Sequence, residues 1–311
     1  MEEYMTAFGR RPDLEAMDVA GGPALSKYIG NLVYPPLNVL EKTGTIYFKS
    51  LVTDSAAQTG RSSGTAPTAT VLTESHDTFT CAEKIKRYAV GNDEVKQMGG
   101  VEMSDMYGGK AAKRSVLRAI ESAQAAVMID AASYAAADDI SGAIIDGFIG
   151  AAESVRRYEG KLALVLSEMA YRFVIQQDEI KTLMGRFVGA PALSPEQILS
   201  VDPSAFKNML RAIYLFDEVL VGLNDHWAIA GKEDAAVVCK LPDPEQFSHK
   251  LDPVLGKTAL YLPDGSQPFV VESFYNYVDK ANDYDAQAWV NVKEFNSGAK
   301  KVVAGLGSGT T

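Results

Sequence analysis

SDMYGGKAAKRSVLRAIESAQAAVMIDAA, Ser104 to Ala132, is the stretch on which the architecture turns. It is rich in Ala, Leu, Met, Lys and Arg, which favour helix. Leu117, Ile120, Gln124, Val127 and Ala131 recur on one stripe at three-to-four spacing, while Lys113, Arg114, Arg118 and Glu121 fall largely elsewhere. At 1.5 Å rise per residue a continuous helix of this length spans about 43 Å. That exceeds an ordinary core helix and predicts a spine running across the molecule.

Upstream, the first thirty residues, with Gly21-Gly22-Pro23 in their middle, read as an arm. Val33 to Leu37 (VYPPL) is expected to be extended, because proline disfavours helix at the residue before it. Thr45–Val52 (TIYFKSLV) has the aromatic and β-branched content of a strand, and a second strand starts near His76, where Phe79 and Cys81 alternate with Thr78 and Thr80. Between them, residues 53–75 are small or polar almost throughout and carry no aromatic side chain. So long a connection is uncommon within a compact domain, and it reads as a projection that packs against another chain.

Downstream, Asp138–Tyr158 reads as a second helix, with Ile140, Ile144, Phe148, Ala152 and Val155 on one side and Gly160 placed to end it. Lys161–Leu166 (KLALVL) is a buried strand, Ser167–Val174 a helix, and Ser194-Pro195-Glu196-Gln197 a helix start. Asp202-Pro203 opens a helix through Phe206, Met209 and Leu210, and Val219-Leu220-Val221 is a further strand. FVVESFYNYV from Phe269, a turn near Asn282-Asp283 and AWVNVKEF form a final strand system, which Lys301–Ala304 extends, and the tail GLGSGTT is too flexible for a core.

Composition narrows function. The 311 residues are 47% hydrophobic and 23% charged, enough for one or two real cores. A net charge of −10 opposes long-range attraction to nucleic acid or anionic membrane while leaving local contacts open. No apolar run approaches the ~20 residues of a membrane span, and the N-terminus lacks a signal-peptide profile, so a soluble chain made inside the cell is expected. Cys81 and Cys239 are far apart and read as reduced, buried thiols.

No catalytic pattern keeps its structural context. Gly60-Arg61-Ser62-Ser63-Gly64 matches Gly-x-Ser-x-Gly, yet no strand leads into it and no helix follows, and neither His226 nor His249 has a triad setting. Gly256-Lys257-Thr258 resembles the end of a phosphate-binding loop, but the required earlier glycine is Leu251, so a turn into a strand is expected. Asp279 to Asp285 lacks calcium-loop spacing and reads as a solvated turn, and His76 with Cys81 is too sparse for zinc. Lys110, Lys113, Arg114 and Arg118 could touch a polyanion, though such runs are more often a solvated helix face. A non-enzyme without cofactor or metal is the expectation.

The order of these elements resembles the major capsid proteins of tailed bacteriophages, whose Hong Kong 97-type fold is shared with encapsulin shells. The resemblance rests on Val33–Leu40 (VYPPLNVL), Lys42–Phe48 (KTGTIYF), Arg61–Pro67 (RSSGTAP), Phe79–Glu83 (FTCAE), Val90–Glu94 (VGNDE) and the spine that follows. It covers nearly the whole chain through element order rather than fixed residues. It implies an α+β fold with an N-terminal arm over 1–44, an extended loop over 45–90, a peripheral domain from 91–135 and 263–311, and an axial domain over 136–262. It further implies assembly into pentamers and hexamers around double-stranded DNA without sequence-specific contacts, in a virion head built in the bacterial cytoplasm. Arg61, Gly64, Thr65 and Pro67 would make intersubunit contacts at the loop tip. Partners implied are other copies of the chain, a portal protein and a separate scaffolding protein, since no long scaffolding segment precedes Met1–Gly30. An encapsulin-like compartment shell is the alternative, and a serine hydrolase using Ser62 a distant third.

Overall fold

The computed structural model describes residues 9–10, 28–49, 74–158, 160–188, 203–212, 216–222, 227, 232–241, 255–263 and 268–307. In chain order these form β1 (Gly9–Arg10), α1 (Gly30–Val33), β2 (Pro36–Val39), β3 (Thr43–Lys49), β4 (Glu74–Thr80), β5 (Ala82–Gly91), α2 (Asn92–Gln97) and α3 (Val101–Met128). There follow α4 (Ala131–Ala135), β6 (Asp138–Asp139), α5 (Ile144–Arg156), β7 (Lys161–Ser167), α6 (Glu168–Gln176), α7 (Asp178–Val188) and α8 (Pro203–Ala212). The remainder are β8 (Glu218–Gly222), β9 (Ala236–Leu241), β10 (Gly256–Tyr261), β11 (Val270–Asn276), β12 (Ala281–Glu294) and β13 (Lys300–Ala304).

Two sheets and one long helix organise the chain. The five-stranded sheet runs β6-β13-β9-β7-β8 and is buried on both faces, so β7 reads as an unbroken apolar run. The two-residue period splits that run. Leu162, Leu164 and Leu166 meet α5 to α8 on one face, and Ala163 and Val165 meet Ile29, Val33, Met128 and Trp227 on the other. The hub of the six-stranded sheet is β12, 14 residues long. Asp283 faces Phe274 of β11 across one edge and Ala89 of β5 across the other, and Val290 takes up β10. In β1, Arg10 pairs with Glu272, so two residues of the expected arm join this sheet.

The expected spine is present as α3, whose 28 residues touch both sheets. Ala112, Val116 and Ile120 pack on Tyr284, Ala286 and Ala288 of β12, and Ala125 and Met128 reach the core beneath the five-stranded sheet. Its buried stripe is rotated from the expected one. Ser104, Gly108, Ala112, Val116, Ile120, Gln124 and Met128 recur every four residues, leaving Leu117 and Val127 only partly buried. Lys113 and Glu121, expected outside the stripe, are buried, and Lys113 lies 5.3 Å from the centre of the Phe269 ring. The helix stops at Met128, and Asp130 starts α4 by accepting hydrogen bonds from the backbone of Ala132 and Ser133.

One buried cation ties the end of α3 to both sheets. Lys300, whose side chain is 3% exposed, forms ion pairs with Glu294 at 2.6 Å and Asp130 at 3.4 Å. Its ammonium also donates to the carbonyls of Val127 and Met128, both at 3.0 Å, and Lys232 donates to that of Ile129 at 2.7 Å. Cations at these orphan carbonyls match the negative end of the helix dipole. Tyr34 donates its hydroxyl to Glu294 at 3.0 Å, and burial, reinforced by that carboxylate, raises the phenol well above its usual pKa.

Several local expectations are corrected by tertiary pairing. Val33 closes a helical turn, and the extended segment starts at Tyr34. The second helix begins at Ile144 because Asp138 and Asp139 pair with β13, and it ends at Arg156, short of Gly160. Gly160 instead adopts a positive φ of 105° where the chain passes the backbone of Leu241. The last hairpin turns at residues 277–280, with Lys280 at φ 49°, so Asn282 and Asp283 lie in a strand. Residues 300–304 do not extend that hairpin's sheet but pair with β9 in the other one. Leu306, in the supposedly flexible tail, is fully buried, and Gly305 donates its backbone N–H to Asp234.

Candidate assembly surfaces

The hairpin of β3 and β4 forms a sheet of its own beside the two large ones. Its register runs antiparallel from Thr43 opposite Thr80 to Lys49 opposite Glu74, and residues 50–73 connect the two strands in the chain. Alternation turns Ile46 and Phe79 inward onto Ala259 of β10, with Tyr261, Trp289 and Phe295 around them. Phe48 stacks on Phe295 with ring centres 4.3 Å apart, and the Lys42 ammonium sits 4.5 Å from the centre of the Trp289 ring. Polar ties hold the same joint. Lys293 pairs with Asp77 at 3.1 Å, and the Asn291 amide donates to the Thr80 carbonyl at 2.9 Å. On the outer face, Tyr47 stands exposed.

Phe48→Ala removes the outermost of these aromatic anchors. Losing a half-buried ring should cost about 1–2 kcal/mol, below the 3–5 kcal/mol of a core phenylalanine. Limited proteolysis is expected to cut the variant faster between residues 50 and 73, with little change in the midpoint of global unfolding. Unchanged cleavage kinetics would show that the ring does not anchor the hairpin.

Other exposed apolar side chains gather at identifiable places. Tyr277 and Val278, the latter 90% exposed, cap the β11–β12 turn, where the Asn276 side-chain oxygen accepts hydrogen bonds from the backbone of Val278 and Asp279. Val101, Met103 and Tyr107 are exposed at the start of α3, with Tyr107 edge-on to Tyr88 at 5.7 Å.

Most of the catalytic candidates are not among the described residues. Arg61, Ser62, Gly64, Thr65 and Pro67, like His226, His249 and the helix start at Ser194, lie outside the described residues. Gly256, Lys257 and Thr258 are buried in a strand, and the Thr258 hydroxyl accepts a hydrogen bond from Gln124 at 2.8 Å. Asp283 and Asp285 do not sit in a solvated turn: both are buried, and Arg87 grips Asp285 through two bonds of 2.7 Å. A bidentate pair of this kind tolerates burial because each carboxylate oxygen receives a donor. Cys239 is buried and its thiol pushed up to about 12, opposite to the shift a reactive thiolate needs. Among the described residues no group of three or more His, Cys, Asp or Glu side chains could hold a metal ion, and no described helix is long and apolar enough to cross a membrane.

No protein-family model matches the chain, and no curated protein matches it in sequence. Solved structures do resemble it. A phage-related protein of Bordetella bronchiseptica RB50 superposes with a TM-score of 0.63 at 17% identity, over 98% of this chain and 100% of that one. A virus-like particle from Pyrococcus furiosus gives a TM-score of 0.52 at 10% identity, over 92% of this chain and 93% of its own. A structure from Microbacterium phage Oxtober96 gives 0.51 at 10% identity, over 88% and 90%. At these identities what is shared is the fold, along nearly the whole length of each chain.

Proposed function

We propose that this chain, whose α+β fold is that of Hong Kong 97-type capsid subunits, is the major capsid protein of a tailed bacteriophage. Its role is structural rather than enzymatic. Copies associate into pentamers and hexamers of an icosahedral head that encloses double-stranded DNA, built in the bacterial cytoplasm with a separate scaffolding protein and a portal. Residues 1–44 serve as the arm, 45–90 as the extended loop, 91–135 with 263–311 as the peripheral domain and 136–262 as the axial domain. Strand β13 crosses from the third of these to the sheet of the fourth.

The hairpin carries this reading. Fastened along its length to β12 and the residue after it through Trp289, Lys293 and Phe295, it forms a two-stranded sheet separate from the two large ones, with Tyr47 exposed on its outer face. Arg61, Gly64, Thr65 and Pro67, just beyond it, are the residues assigned to contact with the neighbouring subunit. Exposed Tyr277, Val278, Met103 and Tyr107 add apolar area that a neighbour would bury.

Electron microscopy and sedimentation of the purified chain, alone and co-expressed with a scaffolding protein, test the proposal. Closed shells of megadalton mass are expected with the scaffold, and a monomer or dimer under both conditions would overturn it. Uniform shells from the chain alone would remove the scaffolding requirement. Ser62→Ala is expected to leave assembly intact and to change no esterase signal. The likeness to the Pyrococcus furiosus particle keeps a compartment shell as the second reading, which enclosed protein instead of DNA would favour.

A further inference from the structure

The outward ridge of α3 carries Lys110, Arg114 and Arg118 at successive four-residue steps. Four residues of helix rise about 6 Å and turn about 40° beyond a full turn, so the three cations make a slanting row about 12 Å long. Arg118 is exposed and Lys110 and Arg114 are half-buried. Among the described residues no ion pair includes any of them. The Tyr28 hydroxyl lies against Arg118, with Arg114 close by.

The helix itself brings few carboxylates to the row. After Asp105, which accepts the Tyr284 hydroxyl at 2.5 Å, the only carboxylate on α3 is Glu121. It is buried, and one of its oxygens accepts the Gly30 backbone N–H at 3.4 Å. No large apolar side chain is exposed between residues 108 and 128 among those described. A protein partner would ordinarily want such an anchor, because interface cores are apolar and aromatic. A partner with regularly spaced single charges does not.

We propose that the Lys110–Arg114–Arg118 ridge binds nucleic-acid phosphates. The step between successive cations is on the order of the distance between neighbouring phosphates on one strand, and a guanidinium can take a phosphate through two bonds. The net charge of −10 does not oppose this at contact. At physiological salt, charges beyond about 8 Å are screened, so a phosphate at the ridge senses mainly the ridge. If the chain forms the shell argued above, the ridge marks the face turned toward the enclosed duplex. That orientation rests on the shell reading, whereas the binding itself does not.

The test is the salt dependence of binding of the full-length chain to a fluorescein-labelled DNA duplex of random sequence. Each phosphate contact adds about 0.9 to the slope of log K against log salt. The triple variant Lys110→Gln/Arg114→Gln/Arg118→Gln should therefore lower the magnitude of the slope by about 2 to 3. Between 50 and 200 mM salt that removes about a 40-fold loss of affinity from the wild-type behaviour. The charge-preserving Arg114→Lys/Arg118→Lys should keep the wild-type slope, and Lys84→Gln/Lys86→Gln on β5 should leave it unchanged. Far-ultraviolet circular dichroism confirms that the variants fold.

An unchanged slope in the folded triple variant overturns the proposal. So does an equal drop in the β5 control, or loss of binding to polyglutamate with DNA binding intact, which would assign the ridge to an acidic polypeptide. Particle formation is read separately. Shells without a ridge-dependent slope sink only this inference, and DNA binding without shells sinks only the shell reading.

Discussion

Lys300→Met is expected to unfold the chain at markedly lower denaturant, with a loss of about 3 kcal/mol. Methionine keeps the volume of the stem but leaves Glu294 without its cation and the carbonyls of Val127 and Met128 without their donor. Removing one partner of a buried pair ordinarily costs about 3–5 kcal/mol, and Glu294 retains some contact with solvent, so the lower end applies. Adding Glu294→Gln to Lys300→Met should recover part of the loss, because the stranded charge disappears. Strictly additive losses, or a Lys300→Met variant as stable as the parent, would show that the junction is not held by this charge.

Acid should act on the same junction. Burial by itself would raise the Asp130 carboxyl, but hydrogen bonds from Ser133 and the charge and hydrogen bond of Lys300 outweigh it and hold it at about 2. A depressed carboxyl contributes stability above its unfolded pKa of about 3.9 and loses it as pH falls through the folded value. Part of the acid sensitivity between about pH 4 and pH 2 therefore belongs to Asp130, and in Lys300→Met that part should shrink. Asp130 is partly exposed, so solvent screening keeps the share small.

Gly108→Val should cost about as much, by lifting α3 off the six-stranded sheet. A Cβ at Gly108 would come within 2.2 Å of a ring carbon of Tyr284, which is fully buried and fixed through its hydroxyl to Asp105. Overpacking costs about 1–3 kcal/mol and occasionally more, and a branched side chain against a fixed ring belongs at the upper end. Helix propensity acts the other way, since replacing a mid-helix glycine gains up to about 1 kcal/mol. Denaturant titration decides which effect wins. Close approach predicts a net loss near 2–3 kcal/mol, and propensity alone predicts a more stable variant. Combining the change with Tyr284→Ala should be less harmful than the sum of the two single effects by at least about 1 kcal/mol.

Gly108 also shows how much the sequence withholds. A glycine inside a helical run reads only as a weakness of that helix, because the aromatic ring that requires Gly108 lies some 175 positions away. Lys113 and Glu121 illustrate the same limit. Their residue types assign them to the solvent side, and partners distant in sequence, among them an aromatic face at Phe269 and a backbone donor at Gly30, help make their burial tolerable. By contrast, Ser167 was legible as a helix start because its side chain accepts from the Ala170 backbone three residues later, a wholly local bond. The apolar run of β7 was equally legible, whereas β9, α2 and α7 are absent from the elements read above, although the apolar run of β9 and the three-to-four spacing of Ile180, Leu183 and Met184 in α7 are local signals.

What the sequence determined by itself is therefore the set of local elements and their order: the strands around residues 43–49 and 74–80, the long helix, the buried strand at Lys161 and the final hairpin. Periodicity and capping act over a few residues, and those features are written within a few residues. Only the tertiary structure decided which elements meet. Residues 300–304 pair with 236–241 and not with the hairpin before them, and Lys300 is buried at the junction of α3 with both sheets. A strand's alternation states that one face is covered but not by what, and a lysine's charge does not name its carboxylate. Those choices are made by packing and charge pairing between segments far apart in the chain, where no local pattern reaches.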